Sequence, residues 1–288
     1  MSFEIFGPIG MAAALLGGIA LLSALLLFLT AKKFHVQVDH RVEDVTAILP
    51  GINCGSCGYP GCSGLAQAFV KASESGNLAG LYCPPGGKDT AESVSSYLGL
   101  APEVKEPTVA VLRCGGSILA APVRLAYDGP PRCSLAHNLS AGESGCPFGC
   151  LRLGDCEVSC DYGAISMDKT TGLPVVDDDK CISCGACVKA CPRSLFQIRP
   201  RGVPGRVWVS CRSLEKGPVA MKTCKVACIA CGKCVKICPS DAIIMENNLA
   251  YIDPIKCTSC GKCVAVCPTG SILTTLKELP SKEAALES

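Results

Sequence analysis

The sequence predicts an α+β chain with an N-terminal transmembrane helix, a small cysteine-rich domain, and two copies of one small unit in tandem. Three observations carry this. An uncharged run from Ile5 to Ala31 covers 27 residues. The chain holds 24 Cys in 288 residues, arranged in blocks. Behind the first blocks, two stretches repeat each other. A disulfide scaffold is excluded by length, because such scaffolds are short secreted domains. Aromatic content is only 5%, with a single Trp, so something besides side-chain packing must hold the soluble part together. A net charge of +2 gives no basic footprint for nucleic acid. Cys at this density in an intracellular chain points to metal or redox chemistry.

The apolar run would make a helix roughly 40 Å long at 1.5 Å per residue, enough to cross a hydrocarbon core of about 30 Å. Pro8 falls where a first helical turn tolerates it. A signal peptide would start with a basic region and end at a small-residue cleavage site. Here Glu4 precedes the run and Lys32 and Lys33 follow it, which reads as an uncleaved anchor over residues 1–31 with the rest of the chain on the cytoplasmic side. Ala14, Gly17 and Gly18 read as ordinary membrane-span composition.

Residues 32–100 form the first cysteine-bearing domain, entered through Val36, Val38, Val42, Val45 and Ile48, spaced for a short helix or linker. Residues 101–107, with Pro and Glu, read as a linker. Then the repeat begins. Val175 to Cys181 resembles Tyr251 to Cys257, Cys160 to Ile165 resembles Cys238 to Ile243, and Val111 to Cys114 resembles Val209 to Cys211. Units over 108–200 and 201–276 follow, each with short β-branched runs that predict two-stranded ribbons. A charged tail over 277–288 is expected to fray.

Three blocks share one spacing: Cys181, Cys184, Cys187 and Cys191-Pro192; Cys228, Cys231, Cys234 and Cys238-Pro239; Cys257, Cys260, Cys263 and Cys267-Pro268. This is the run of bacterial ferredoxins, in which three Cys bind one [4Fe–4S] cluster and the fourth binds its neighbour. Gly185, Gly232 and Gly261 allow the loop to wrap tightly. Zinc knuckles instead pair Cys-x2-Cys motifs across a longer gap. A looser block, Cys146, Cys150, Cys156 and Cys160, mirrors Cys228 to Cys238, with Asp161 in place of Pro. The usual exchange then groups Cys146, Cys150, Cys156 with Cys191, and Cys181, Cys184, Cys187 with Cys160. In the second copy it groups Cys228, Cys231, Cys234 with Cys267, and Cys257, Cys260, Cys263 with Cys238. Cys54, Cys57, Cys62 and the distant Cys83 suit a fifth cluster. Cys114, Cys133, Cys211 and Cys224 remain, two per copy, and are expected to share a sixth, the bland alternative being buried thiols. Ligating thiols are deprotonated, so six sites carrying roughly −2 each move the formal charge from +2 to about −10.

The anchor, the run Gly51-Ile52-Asn53-Cys54-Gly55-Ser56-Cys57-Gly58-Tyr59-Pro60-Gly61-Cys62, and the ferredoxin repeats together resemble the B subunit of the Rnf electron-transport complex, in a long form with two ferredoxin-like units. The resemblance covers nearly the whole chain. It implies an iron–sulfur subunit of a ferredoxin:NAD oxidoreductase at the bacterial inner membrane, single-pass, coupled to Na⁺ or H⁺ translocation. It further implies soluble ferredoxin, other Rnf subunits and membrane lipid as partners. The residues themselves show no Gly-x-Gly-x-x-Gly after a strand, no P-loop, and no acid, base or nucleophile set in a pocket. His35, His40 and His137 form no metal spacing, and Asp177, Asp178 and Asp179 read as a solvated turn. The competing classes are the cluster subunit of another anchored oxidoreductase and a zinc-rich membrane scaffold.

Overall fold

The computed structural model describes residues 3–33, 39–102, 106–139, 142–202 and 205–281. The expectations for His35, Val36 and Val38, for the middle of the linker, and for most of the charged tail lie outside these residues. The chain divides into two compact units, 1–43 and 44–288.

The first unit is dominated by helix α1, Phe3–Lys33. Its Leu- and Ala-rich sequence favours helix, and its segment Gly10–Lys33 is long and apolar enough to cross a membrane, with none of it buried against protein. Ser23 and Thr30 donate their hydroxyls to the backbone carbonyls of Ile19 and Leu26, at 2.7 and 2.9 Å. This is how a hydroxyl is satisfied where water is excluded. Lys32 and Lys33 occupy the last turn, where the helix dipole favours cations.

Helix α2, His40–Ile48, spans the division between the units. In the second unit its Val45 is buried, and two further helices follow, α3, Gly61–Glu74, and α4, Gly87–Leu98, each with a buried face. The buried residues of α3 are Leu65, Ala66, Phe69 and Val70, one helical stripe. Gly99 ends α4 in the left-handed conformation, φ 70°, with its N–H returned to the carbonyls of Ser95 and Ser96. Tyr97 donates to Asp44 at 2.5 Å and ties α4 to α2.

The rest is built twice. The first copy runs β1 (Thr108–Leu112), α5 (Cys133–Leu139), α6 (Asp155–Val158), β2 (Ile165–Met167), β3 (Pro174–Val176), α7 (Ala186–Ala190) and β4 (Phe196–Pro200). The second runs β5 (Val207–Val209), α8 (Gly217–Thr223), α9 (Lys233–Lys236), β6 (Ile243–Glu246), β7 (Leu249–Ile252), α10 (Lys262–Val266) and β8 (Ile272–Thr274). In each copy the first strand pairs antiparallel with the last, Thr108 opposite Pro200 and Val207 opposite Thr274. The middle two strands form a hairpin, Ile165 opposite Val176 and Ile243 opposite Ile252. Asn247 and Asn248 turn the second hairpin with φ 48° and 62°, the two positive values a type I′ turn requires. The expected two-stranded ribbons are therefore present. Isolated hairpins are marginal in water. Here they pack on cysteines: Cys156 and Cys187 sit among Ala110, Ile165 and Phe196, and Cys228, Cys234 and Cys263 among Val209, Ile243 and Ile252.

Arg199, 2% exposed, joins the two copies. It reaches from β4 to the carbonyls of Ile252 at 2.8 Å and Val207 at 3.3 Å, and its guanidinium lies 5.4 Å from the Tyr251 ring centre. Trp208 donates to the Leu112 carbonyl at 2.9 Å. Asp178 accepts from both terminal guanidinium nitrogens of Arg206, at 2.7 and 2.8 Å, so this part of the acidic run is an ion pair to the residue just before β5 rather than a purely solvated turn. Asp177 does shape the turn, accepting from the backbone N–H of Asp179 at 3.0 Å.

Candidate iron–sulfur sites

Each regular block folds the same way. The residue before its second Cys is left-handed: Ser183 at φ 60°, Ala230 at 55° and Ser259 at 55°. The residue after it is left-handed Gly: Gly185, Gly232 and Gly261, at 75°, 71° and 74°. Helices α7, α9 and α10 start from those glycines and carry the third Cys inward, so that Cys187, Cys234 and Cys263 are buried. Cys231 and Cys260 remain exposed.

Each fourth Cys arrives from the other block of its copy. Cys160 lines a cavity of about 330 Å³ with Cys181, Cys184 and Cys187. Cys267 lines one of about 340 Å³ with Cys228, Cys231 and Cys234. Cys257 and Cys260, and then Cys234 and Cys238, lie close enough to Cys263 that, after burial, their charges help push its thiol up to about 12. Cys83 is raised by burial and then by Cys57, Cys62 and Cys54, which places those four together.

The remaining eight are grouped differently from the sequence expectation. Cys133, expected with Cys114, lines a cavity of about 370 Å³ with Cys150, Cys156 and Cys191. Cys146, expected with Cys156 and Cys191, lines one of about 430 Å³ with Cys114, Cys150, Cys211 and Cys224. The physical reason is the long insertion after β1. It brings Cys133, at the start of α5, beside Asp155 at the start of α6, whose carboxylate accepts from the Ser134 N–H at 3.1 Å. Arg193 holds the Cys146–Cys150 loop from behind, donating to the carbonyls of Cys146 at 2.9 Å and Gly149 at 2.6 Å.

The donors fit an inorganic cluster. Among the described residues no three His, Cys, Asp or Glu donors are gathered closely enough to share one metal ion. A tetrahedral Zn²⁺ holds its sulfurs about 2.3 Å from a single point, whereas these thiols ring cavities of similar size. Ser183 and Ser210, 4% and 2% exposed, have hydroxyls with no hydrogen-bond partner and line two of the cavities. A buried hydroxyl without a partner is costly, and the sulfides of a cluster would accept from it. Backbone N–H groups already aim at sulfur: Ala164 to Cys160 at 3.3 Å, Leu195 to Cys191 at 3.4 Å and Ala242 to Cys238 at 3.4 Å. Burial pushes the thiols of Cys156 and Cys187 up to about 12 and those of Cys211 and Cys234 up to about 11, with neighbouring cysteines adding to the effect. Cys267 is the exception. Burial raises it, but the Ser271 hydroxyl, Thr269 and their N–H groups outweigh burial and leave its thiol below the usual value. Arg193 carries no signal in the sequence because it acts on a loop more than 40 residues away, and Ser271, Ser183 and Ser210 carry none because a single serine near a Cys has no distinguishing pattern. Of the histidines, His137 accepts from Arg193 at 3.4 Å and His40 lies on an exposed helix face 3.8 Å from Glu43.

Comparison with known proteins agrees with these sites. The 4Fe-4S dicluster domain family matches residues 145–204 and 227–271, and a second family of that description matches 177–242, in the alternate frame of the repeat. A family described as a putative Fe-S cluster matches residues 49–77. The cofactors of the chain are therefore [4Fe–4S] clusters. The chain is 43% identical over 246 residues to the B subunit of the Na(+)-translocating ferredoxin:NAD(+) oxidoreductase complex of Acetobacterium woodii, covering 85% of this chain and 71% of that protein. It is 41% identical to the B subunit of the proton-translocating ferredoxin:NAD(+) oxidoreductase complex of Clostridium ljungdahlii, covering 82% and 81%. It is 38% identical to the B subunit of the ion-translocating oxidoreductase complex of Methanosarcina acetivorans, covering 84% and 89%. With thiol-lined sites, tandem dicluster units and relatives matched over most of both lengths, the chain belongs to the family of B subunits of the ion-translocating ferredoxin:NAD(+) oxidoreductase, or Rnf, complexes.

Proposed function

We propose that the chain is the cluster-bearing arm of a membrane-bound ferredoxin:NAD(+) oxidoreductase, relaying electrons between soluble ferredoxin and the membrane partners of the complex while ions are translocated. The observation that carries this is the set of thiol-lined cavities of similar size, in two tandem units, in a chain that also holds an apolar membrane-length helix. Bound clusters supply one-electron chemistry, and the protein sets each potential through burial and hydrogen bonds to sulfur. The chain presents no separate substrate-turnover site in this reading. The 24 Cys make six sets of four, so six clusters are proposed. The domain limits proposed are an anchor over 1–31, the first cluster domain over 32–100, a linker over 101–107, ferredoxin-like units over 108–200 and 201–276, and the tail. Lys32 and Lys33 support anchoring in the lipid of the bacterial inner membrane with the clusters on the cytoplasmic side.

The test uses the full chain purified without oxygen. About 24 iron and about 24 sulfide per chain are expected, with bleaching of the visible absorbance when reduced ferredoxin is mixed in. A colourless protein carrying stoichiometric zinc, or clusters that ferredoxin cannot reduce, contradicts the reading.

A further inference from the structure

The two cavities that share Cys150 define a division of ligands that the spacing of the blocks did not give. Cys146 does not line the cavity of Cys133, Cys156 and Cys191, so only Cys150 can complete that set of four. The other cavity then keeps Cys114, Cys146, Cys211 and Cys224. A near two-fold correspondence between the copies supports this division. Cys114 follows β1 as Cys211 follows β5, and Cys146-x3-Cys150 has the spacing of Cys224-x3-Cys228. The hydrogen bonds correspond as well. The N–H of Cys150 donates to the sulfur of Cys114 at 3.4 Å, and the N–H of Cys228 donates to that of Cys211. The backbones also meet here: Gly115 donates to the Ser210 carbonyl at 2.9 Å and Lys225 to the Ala120 carbonyl at 2.8 Å.

We infer that Cys114, Cys146, Cys211 and Cys224 hold one [4Fe–4S] cluster at the joint between the two copies, that Cys133 completes the neighbouring set with Cys150, Cys156 and Cys191, and that the joint cluster strings all six sites into a single file. This rests on the cluster-bearing function proposed above. The order follows from the links. Cys146 and Cys150 join the Cys133 set to the joint, and Cys224 and Cys228 join the joint to the Cys228 set. On one side, Cys156 with Cys160 leads to the Cys181 set. Beyond it lies the Cys54 set, where Ser56 lies 2.8 Å from the Cys54 sulfur and donates to the Cys184 carbonyl at 3.2 Å. On the other side, Cys234 with Cys238 leads to the Cys257 set, whose Cys260 is exposed. The Cys54 and Cys257 sets are the two ends.

The test is additivity of iron loss in the anaerobically purified full chain. Ligands of one cluster removed together lose no more than either alone, and ligands of two clusters lose the sum. Cys146→Ala with Cys211→Ala is expected to lose about four irons, as each single variant does. Cys133→Ala with Cys211→Ala is expected to lose about eight. The reverse pattern overturns the inference. Where an Ala variant yields no protein, Cys→Ser variants are read by electron paramagnetic resonance. Cys146→Ser and Cys211→Ser are expected to alter one and the same signal, and Cys133→Ser the signal altered by Cys191→Ser. If Cys146→Ser and Cys191→Ser share a signal instead, the division is wrong. An iron-free parent protein would defeat the proposed function itself, whereas an iron-loaded parent with reversed additivity defeats only this division.

Discussion

Removing the Ser271 hydroxyl is expected to lower the reduction potential of one cluster and leave the others unchanged. The Cys267 sulfur has Ser271 Oγ at 3.4 Å and Thr269 Oγ1 at 3.8 Å. A hydrogen bond to a charged acceptor is worth about 1.5–3 kcal/mol. Its strength grows when the acceptor takes up another electron, and a growth of about 1 kcal/mol corresponds to ~40 mV for a one-electron couple. Ser271→Ala therefore shifts the midpoint of the Cys228, Cys231, Cys234 and Cys267 site downward by ~40 mV. Ser271 is 3% exposed and loses only one oxygen, so packing is little disturbed. Thr269→Val, which removes the longer contact, shifts the same midpoint by less. The assay is a redox titration followed by electron paramagnetic resonance, with the site assigned as the signal altered by Cys231→Ser. An unchanged or raised midpoint in Ser271→Ala would refute the claim that this hydroxyl tunes the site.

Four further outcomes are expected. Arg193→Met frees the Cys146–Cys150 loop and reduces retention of the two clusters on either side of it, seen as lower iron content and an earlier thermal transition. Arg199→Ala leaves the carbonyls of Ile252 and Val207 without their buried donor and costs about 3 kcal/mol in denaturant unfolding; wild-type stability contradicts its role as the clasp between copies. Leu22→Arg, in the middle of α1, opposes membrane insertion by about 3 kcal/mol and moves protein from the membrane fraction to the soluble one. Loading is also pH-dependent. The thiols of Cys156, Cys187 and Cys263, raised mainly by burial to about 12, keep their protons in the cluster-free chain, and ligation strips them. Loading therefore releases protons, measurable in weak buffer, and becomes more favourable as pH rises from about 7 to about 9. The sign for the cluster-free fold is the reverse: raised values stabilise it below the ordinary thiol value of 9.0, and that stabilisation is lost as pH rises through about 12. Loading without proton release contradicts this account.

The regular blocks were legible because their ligand loops are local. Three Cys within seven residues and a Gly after the second specify the loop whatever surrounds it, and the helices α7, α9 and α10 start where those glycines lie. The membrane-length helix α1 was legible because a long apolar run without charge favours a continuous helix. Cys133 was not. It reaches its cavity through the fold of the insertion after β1, and nothing in its neighbours along the chain reports that path. The equal spacing of Cys146-x3-Cys150 and Cys224-x3-Cys228 is the one local signal in the sequence that relates these four residues. Arg193 and Ser271 act across long separations or through a single hydroxyl, and neither leaves a periodic trace.

The left-handed residues flanking each second Cys do more than tighten a turn. A residue of one hand between two of the other rotates successive backbone N–H groups toward a common side, which makes a concave nest for an anion. Ser183, Ala230 and Ser259 are not glycines, and each holds this conformation at a cost of about 1–2 kcal/mol. That strain is offset when negative charge occupies the nest. Each loop is thus a spring set by its guest's charge, and cluster loss favours relaxation of the loop away from the geometry that reloading requires. Ala230→Gly, which relieves the strain without touching a sulfur, is the change that would make the loop's shape independent of what it holds.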